Sequence, residues 1–295
     1  MRLVDNAVRC SLAASLAYLS PEQMASAKKE WQHTGAFTSS LPGQLYMSRL
    51  AGAGFSYAEQ VLEPSLQSSA TIFTNEAENE VCVAFRGSTA LTNFKSMFAL
   101  GLVPLSNDNV GNGDGDVPRV HEGYQEASLR LYERLQSRLD SIAGGTQRVI
   151  FTGHSYGGGT ATLCALYHSP DELMTLSAPL VGDAAFAHRF DAAAAARGAR
   201  TTHLVHDADP VLQQNRPLWE ALGYQHTGQI VRCSPTEALL HESDAAERGG
   251  IWPEGGGELA WNFLDHTRYL GTYLGPRVSV GKVRWTRLLK PNYRP

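Results

Sequence analysis

The chain has 295 residues, within the range where one α/β domain still grows a single core. Hydrophobic residues at 43% and charged residues at 18%, with 28 Gly and 14 Pro spread along the chain, exclude a wholly disordered or low-complexity protein. A net charge of −4 without an arginine-rich or aromatic-interleaved basic run before the last fifteen residues gives no basis for nucleic-acid binding.

In chain order, Leu12, Leu16 and Leu19 recur at helical spacing and predict an amphipathic helix closing on Pro21. Arg2, Asp5 and Arg9 interrupt what would be the basic start of a signal peptide, and no apolar run is long enough to span a bilayer. The expectation is a soluble chain, cytoplasmic or exported by a route without a cleaved signal. Ala70 to Thr74 and Glu80 to Phe85 are rich in β-branched and aromatic residues and flank the polar turn Asn75 to Asn79, so they read as a strand pair. Between Leu91 and Val120 the periodicity lapses. An apolar stretch, a candidate lid at about 91–105, is followed by a glycine-rich polar loop at about 106–117, and loops of this length are often functional. Aligned as a calcium loop from Asp108, that segment puts Val110 at a ligand position and Arg119 where a bidentate glutamate belongs, so a solvated loop is the better reading.

Gln125 to Ile142 carries leucines at mostly helical spacings and stops at Gly144 Gly145. A short buried strand, Arg148 to Thr152, a glycine-rich turn at Gly153 and a helix from Thr160 to His168 follow. Leu173 to Ser177, Ala184 to Arg197 and Thr201 to His206 repeat the order strand, helix, strand. Such alternation predicts a mostly parallel central sheet with helices on both faces, in a single domain over residues 1–295. Cys10, Cys82, Cys164 and Cys233 are widely spaced, with no CxxC pair and no histidine at ligand spacing, so free buried thiols are expected and no metal.

The run Gly153 His154 Ser155 Tyr156 Gly157 lies between a predicted strand and a predicted helix, the setting of a nucleophile elbow in an α/β-hydrolase fold. There the serine's backbone is strained, and strand and helix approach too closely for side chains at Gly153 and Gly157. A serine hydroxyl needs an imidazole as base and a carboxylate to orient it, in the chain order Ser, acid, His. Asp209, just past the strand ending at His206, supplies the acid, with Asp207 competing; His226, His241 and His266 lie downstream, and His266 begins a new structured run. His154 cannot face the serine from the same elbow and reads as a packing or wall residue. The backbone N–H of Tyr156 and a group on Ser88, just beyond the strand Val81 to Phe85, are the candidate oxyanion donors.

Taken together, Phe85 Arg86 Gly87 Ser88 with Asn93 Phe94, Val120 to Tyr124, Thr152 to Gly158, Ser177 to Asp183, the Asp209 segment and Asp265 to Tyr269 resemble the class 3 lipases, the family of filamentous-fungal triacylglycerol lipases, in family order. The resemblance implies Ser155 as nucleophile, Asp209 as acid, His266 as base, and Ser88 with Tyr156 as oxyanion donors. It also implies that Phe94, Met97, Phe98 and Leu100, with Leu102, belong to a lid that meets lipid when open; plain core packing is the alternative for this stripe. Tyr156 stands where the family commonly has Leu, and Ala178 Pro179 Leu180 where it often reads Ala Pro Arg, which points to a different acyl pocket. The cysteines do not match the disulfides of the secreted fungal enzymes.

The function expected is hydrolysis of lipid carboxylic esters, acylglycerols or phospholipids, through an acyl-serine, with no cofactor and with transient contact with a lipid or membrane interface. An esterase for soluble or aromatic esters on the same triad and a catalytically degenerate lipid-binding module are the alternatives. The basic tail, Lys282 to Arg294, reads as a solvated terminus, with an anionic membrane surface as its other candidate partner.

Overall fold

The computed structural model describes residues 2–26, 42–89, 101–106, 117–143, 147–206, 209, 219–234, 237, 240–241 and 266–274. The candidate lid residues Phe94, Met97, Phe98 and Leu100, the polar loop at 107–116, Asp207 and the basic tail lie outside them.

The main sheet is built from β1 (Ser56–Glu63), β2 (Ser68–Asn75), β3 (Glu80–Phe85), β6 (Arg148–His154), β7 (Glu172–Leu176), β9 (Arg200–Val205), β11 (Gln229–Cys233) and β12 (Leu240–His241), adjacent in that order. From β3 to β11 neighbouring strands are parallel, while β1, β2 and β3 are joined antiparallel and β12 closes the far edge antiparallel to β11. Four shorter strands, β4 (Leu102–Pro104), β5 (Arg119–His121), β8 (Gly182–Asp183) and β10 (Tyr224–Gln225), form a second sheet, and β13 (Arg268–Tyr269) with β14 (Thr272–Tyr273) makes a hairpin. The end of the candidate lid stretch is therefore not loop. Leu102 to Pro104 pair with β5, and Leu102 packs half-buried against a cluster of Leu180, Val205, Trp219 and Tyr224.

Side chains alternate across the strands with period two, so β3 sends Val81, Val83 and Phe85 to one face and Cys82 and Ala84 to the other. On the first face lie α3 (Glu122–Ala143) and α4 (Tyr156–His168), through Leu131, Leu135, Leu139, Ala161 and Leu163. The second face is covered by α1 (Arg2–Leu16) and α2 (Pro42–Gly52), through Leu12, Ala13, Leu16 and Leu50. At about 1.5–3 kcal/mol for each fully buried large apolar side chain, these two layers supply the main drive to fold. The remaining helix, α5 (Ala184–Ala196), follows β8 and is capped by the Asp183 carboxylate, which accepts from the Phe186 N–H at 2.9 Å.

The second half of α1 is buried on nearly every side, so its hydroxyls need partners. Ser11 Oγ meets Thr272 Oγ1 at 3.0 Å and Ser15 Oγ donates to the Tyr273 carbonyl at 2.6 Å. The amino-terminal helix thereby ties down the hairpin that follows His266. All four cysteines are buried and unbridged, and no helix among the described residues is long and apolar enough to cross a membrane.

Candidate active site

Ser155 sits between β6 and α4 with φ 54° and ψ −125°, a backbone conformation few non-glycine residues adopt. The turn is tight enough that a side chain on Gly153 would run into the backbone of Gly157, and one on Gly157 would meet the Phe85 carbonyl and Arg86. Only glycine fits at either place. The helix begins at Tyr156, earlier than the expected Thr160, because Gly157, Gly158 and Gly159 serve close packing here and do not break the helix. Gly158 lies against Ala178 and Gly159 against the Tyr124 ring.

This turn stands at the carboxyl edge of the parallel strands, where the ends of β7 and β9 also release their chains. Ser155 Oγ lies 2.9 Å from His266 Nε2. On the other side of the ring, His266 Nδ1 lies 3.0 Å from Asp209 Oδ1 and 3.1 Å from Oδ2. All three residues are buried, Asp209 completely. Burial pushes the Asp209 carboxyl up, but the charge and hydrogen bond of His266 and the hydroxyls of Ser177 and Tyr269 outweigh it and hold the group well below the ordinary carboxylate range. The arrangement can therefore draw a proton from Ser155 Oγ to Nε2 while an anion steadies the Nδ1–H.

The structure brings His266 to the serine and leaves the other two downstream histidines elsewhere. His226 has its ring 5.9 Å from that of His203, and His241 pairs with Arg232 at the edge of the main sheet. His154, expected as a packing or wall residue, is buried and braces His266. Burial, with His266 beside it, pushes its pKa down to about 3, so the ring is neutral with one N–H. Nε2 faces the His266 carbonyl at 2.8 Å and Nδ1 the Tyr18 hydroxyl at 2.8 Å, an arrangement satisfied when Nε2–H donates to the carbonyl and Tyr18 donates to Nδ1. His266 is thus held through its own backbone by a chain that runs back to the residues just after α1.

Tyr156 is the first residue of α4, and its buried ring lies 5.2 Å from that of Tyr124. Ser88 is half-buried on the segment leaving β3. That segment runs directly beside the elbow, since Phe85 pairs with Gly153 across the sheet and a side chain on Gly87 would meet the His154 carbonyl. Helix amino termini and such loops present N–H groups to an anion.

Ser177 and Tyr269 lie within segments that carried the family resemblance, yet spacing assigned them no part. Tyr269 donates to Asp209 Oδ2 at 2.6 Å, and Ser177 Oγ contacts both Asp209 Oδ2 and His266 Nδ1. Tyr18 gave no signal either, being an aromatic at the end of an apolar helix.

Residues 82–215 match the model of the family Lipase (class 3). The chain is 29% identical over 167 residues to the secreted mono- and diacylglycerol lipase 1 of Fusarium solani, covering 54% of this chain and 45% of that protein. It is 31% identical over 131 residues to a lipase of Rhizomucor miehei, covering 41% and 34%. It spans less than half the length of these curated relatives. A solved Rhizomucor miehei lipase propeptide complex superposes with a TM-score of 0.61 at 20% identity, over 93% of this chain and 82% of that one, which shows the α/β-hydrolase fold.

Proposed function

We propose, on its likeness to the class 3 lipases, that this chain hydrolyses carboxylic esters of lipids, acylglycerols or phospholipids, through an acyl intermediate on Ser155. The observation that carries the reading is the buried line from Ser155 Oγ through the His266 ring to Asp209. Ser155 Oγ attacks the ester carbonyl carbon as its proton passes to His266 Nε2. The oxyanion accepts hydrogen bonds from the Tyr156 N–H and from Ser88, through its N–H or hydroxyl. Collapse of this intermediate expels the alcohol, which takes the proton from Nε2–H. A water then gives its proton to Nε2 and attacks the acyl carbon, and the released acid leaves Ser155 with its proton restored. Asp209 stays charged throughout and keeps Nδ1 as the protonated nitrogen. No metal or cofactor enters the scheme.

The segment holding Phe94, Met97, Phe98 and Leu100 is proposed as a lid on the strength of its apolar composition and its place between β3 and β4. The test is a rate profile across emulsified acylglycerols, phospholipid vesicles and short soluble esters, with Ser155→Ala as control. Lipid esters should be preferred, and rates should rise as substrate passes its solubility limit. Equal or greater activity on monomeric short esters would transfer the reading to a soluble-ester hydrolase. No turnover of any ester, with no fluorophosphonate labelling, would leave a lipid-binding module.

A further inference from the structure

Ser177 follows β7 directly, is fully buried, and holds φ at 52°, the left-handed region that a seryl residue enters only at a steric cost. Its N–H still donates to the Leu204 carbonyl at 2.9 Å, so the sheet ladder continues through it and the unusual φ turns the residue toward the site. The hydroxyl donates to Asp209 Oδ2, and with its single hydrogen so used, Oγ can only accept from His266 Nδ1, 2.8 Å away. The Nδ1–H is therefore shared between the carboxylate and the serine oxygen.

We propose that Ser177 is a positioning residue for the acid and base, a buried hydroxyl that locks Asp209 and fixes the plane of the His266 ring while turning its negative end toward the imidazolium formed during ester cleavage. The inference rests on the ester-hydrolase reading above and adds a fourth side chain to it. Glycine would satisfy φ 52° without strain; serine at this place keeps the strain and gains a hydroxyl between two groups that must exchange charge. Tyr269 also donates to Oδ2, at 2.6 Å, whereas the Ser177 oxygen contacts both Oδ2 and the ring nitrogen Nδ1.

The direct test compares Ser177→Gly and Ser177→Ala in the full chain. The glycine variant relieves the backbone and should melt at or above the parent, while its kcat falls about tenfold with KM within about twofold, as expected for a hydrogen bond to a charged group that matters in the transition state. Loss of the oxygen facing Nδ1 disfavours the imidazolium, so the acidic limb of kcat/KM should move to lower pH. Among the described residues, Asp209, the His154 ring at 4.8 Å, and Tyr269 on Asp209 with the tilted His206 ring 4.6 Å from it are unchanged by the substitution. The alanine variant should share the kinetic loss and melt lower. A glycine variant with full kcat and an unmoved acidic limb would overturn the proposal, as would a loss of stability with undiminished kcat per folded molecule. If the parent cleaves no ester, or Ser155→Ala retains the activity, the ester-hydrolase reading fails and this inference falls with it; with parent active and Ser155→Ala inactive, any failure belongs to Ser177 alone.

Discussion

At the residue scale, Asp209 is the point where burial and chemistry oppose each other most strongly. A fully buried carboxylate is stable only because its oxygens collect donors from separate parts of the chain: His266 and Tyr269 near the end, and Ser177 after β7. Asn at this position would keep the shape but present an amide N–H in place of one accepting oxygen, and the imidazole would lose the partner that fixes its tautomer. Asp209→Asn should therefore lower turnover by about 10⁴-fold with little change in KM, measured by steady-state kinetics on a good ester substrate. Asp207→Asn, the competing acid in the sequence reading, should stay within about tenfold of the parent. The reverse ranking would move the acid to Asp207.

At the scale of elements, the parallel strands carry opposite business at their two edges. The carboxyl edge holds Ser155 and its partners. The amino edge holds a row of ion pairs: Arg148 at the start of β6 bridges Glu80 of β3 and Glu172 of β7, and Glu172 also accepts from Arg200 of β9 at 2.9 Å and from Asn6 of α1 at 3.2 Å. Glu172 is buried while both arginines are partly exposed, so this carboxylate is the member whose loss costs most. Glu172→Ala should destabilise the protein by about 3 kcal/mol in urea unfolding while leaving kcat unchanged, because the edge it staples lies at the other end of the strands. Unchanged stability would show that the arginines are equally well solvated alone. The same contrast of edges explains what could be read from sequence. β3, β6, β7 and α3 were legible because each is long enough to show its period and is buried on a defined face. β1 was not, since Ser56, Glu59, Gln60 and Glu63 interleave polar residues along a half-exposed edge strand. β4, β5, β8, β10 and the β13–β14 hairpin are two or three residues each, below any periodic signal. In the site, Ser155 carried the signature of the elbow, while the chain order Ser, acid, His left Asp207 open beside Asp209, and His226 and His241 open beside His266, until the family resemblance chose among them. Ser177, Tyr18 and Tyr269 could not be named in advance, because a hydroxyl aimed at Asp209, or in the case of Tyr18 at His154, is visible only once distant segments meet.

On the scale of the whole molecule, the buried histidines set how the fold answers acid. Burial pushes His154 down to about 3 and His203 down to about 4, with the bond from His203 to Thr227 opposing the shift, and burial lowers His168 as well. In the unfolded chain these rings take up a proton near the ordinary histidine value of about 6.5. Below that pH the unfolded state binds more protons than the folded one, so stability falls as pH falls, by up to about 1.4 kcal/mol per pH unit for each fully buried ring, until the folded value is reached. Above it both states are neutral and nothing is gained. Asp209 belongs to a lower window: its depressed carboxyl adds stability above the ordinary aspartate value, and that contribution is lost only as pH drops further. Urea midpoints should hence decline steadily from pH 6.5 to 4.5, and less steeply in His203→Gln; a flat profile would contradict the neutral buried rings. Ester cleavage by this fold requires Ser155 to be a nucleophile activated by His266. The most direct measurement is the intact mass of the protein after exposure to a fluorophosphonate, followed by peptide mapping: one adduct on Ser155, absent in Ser155→Ala and strongly slowed in His266→Ala, is the predicted result. An unmodified parent, or an adduct that persists at full rate without Ser155, would contradict it.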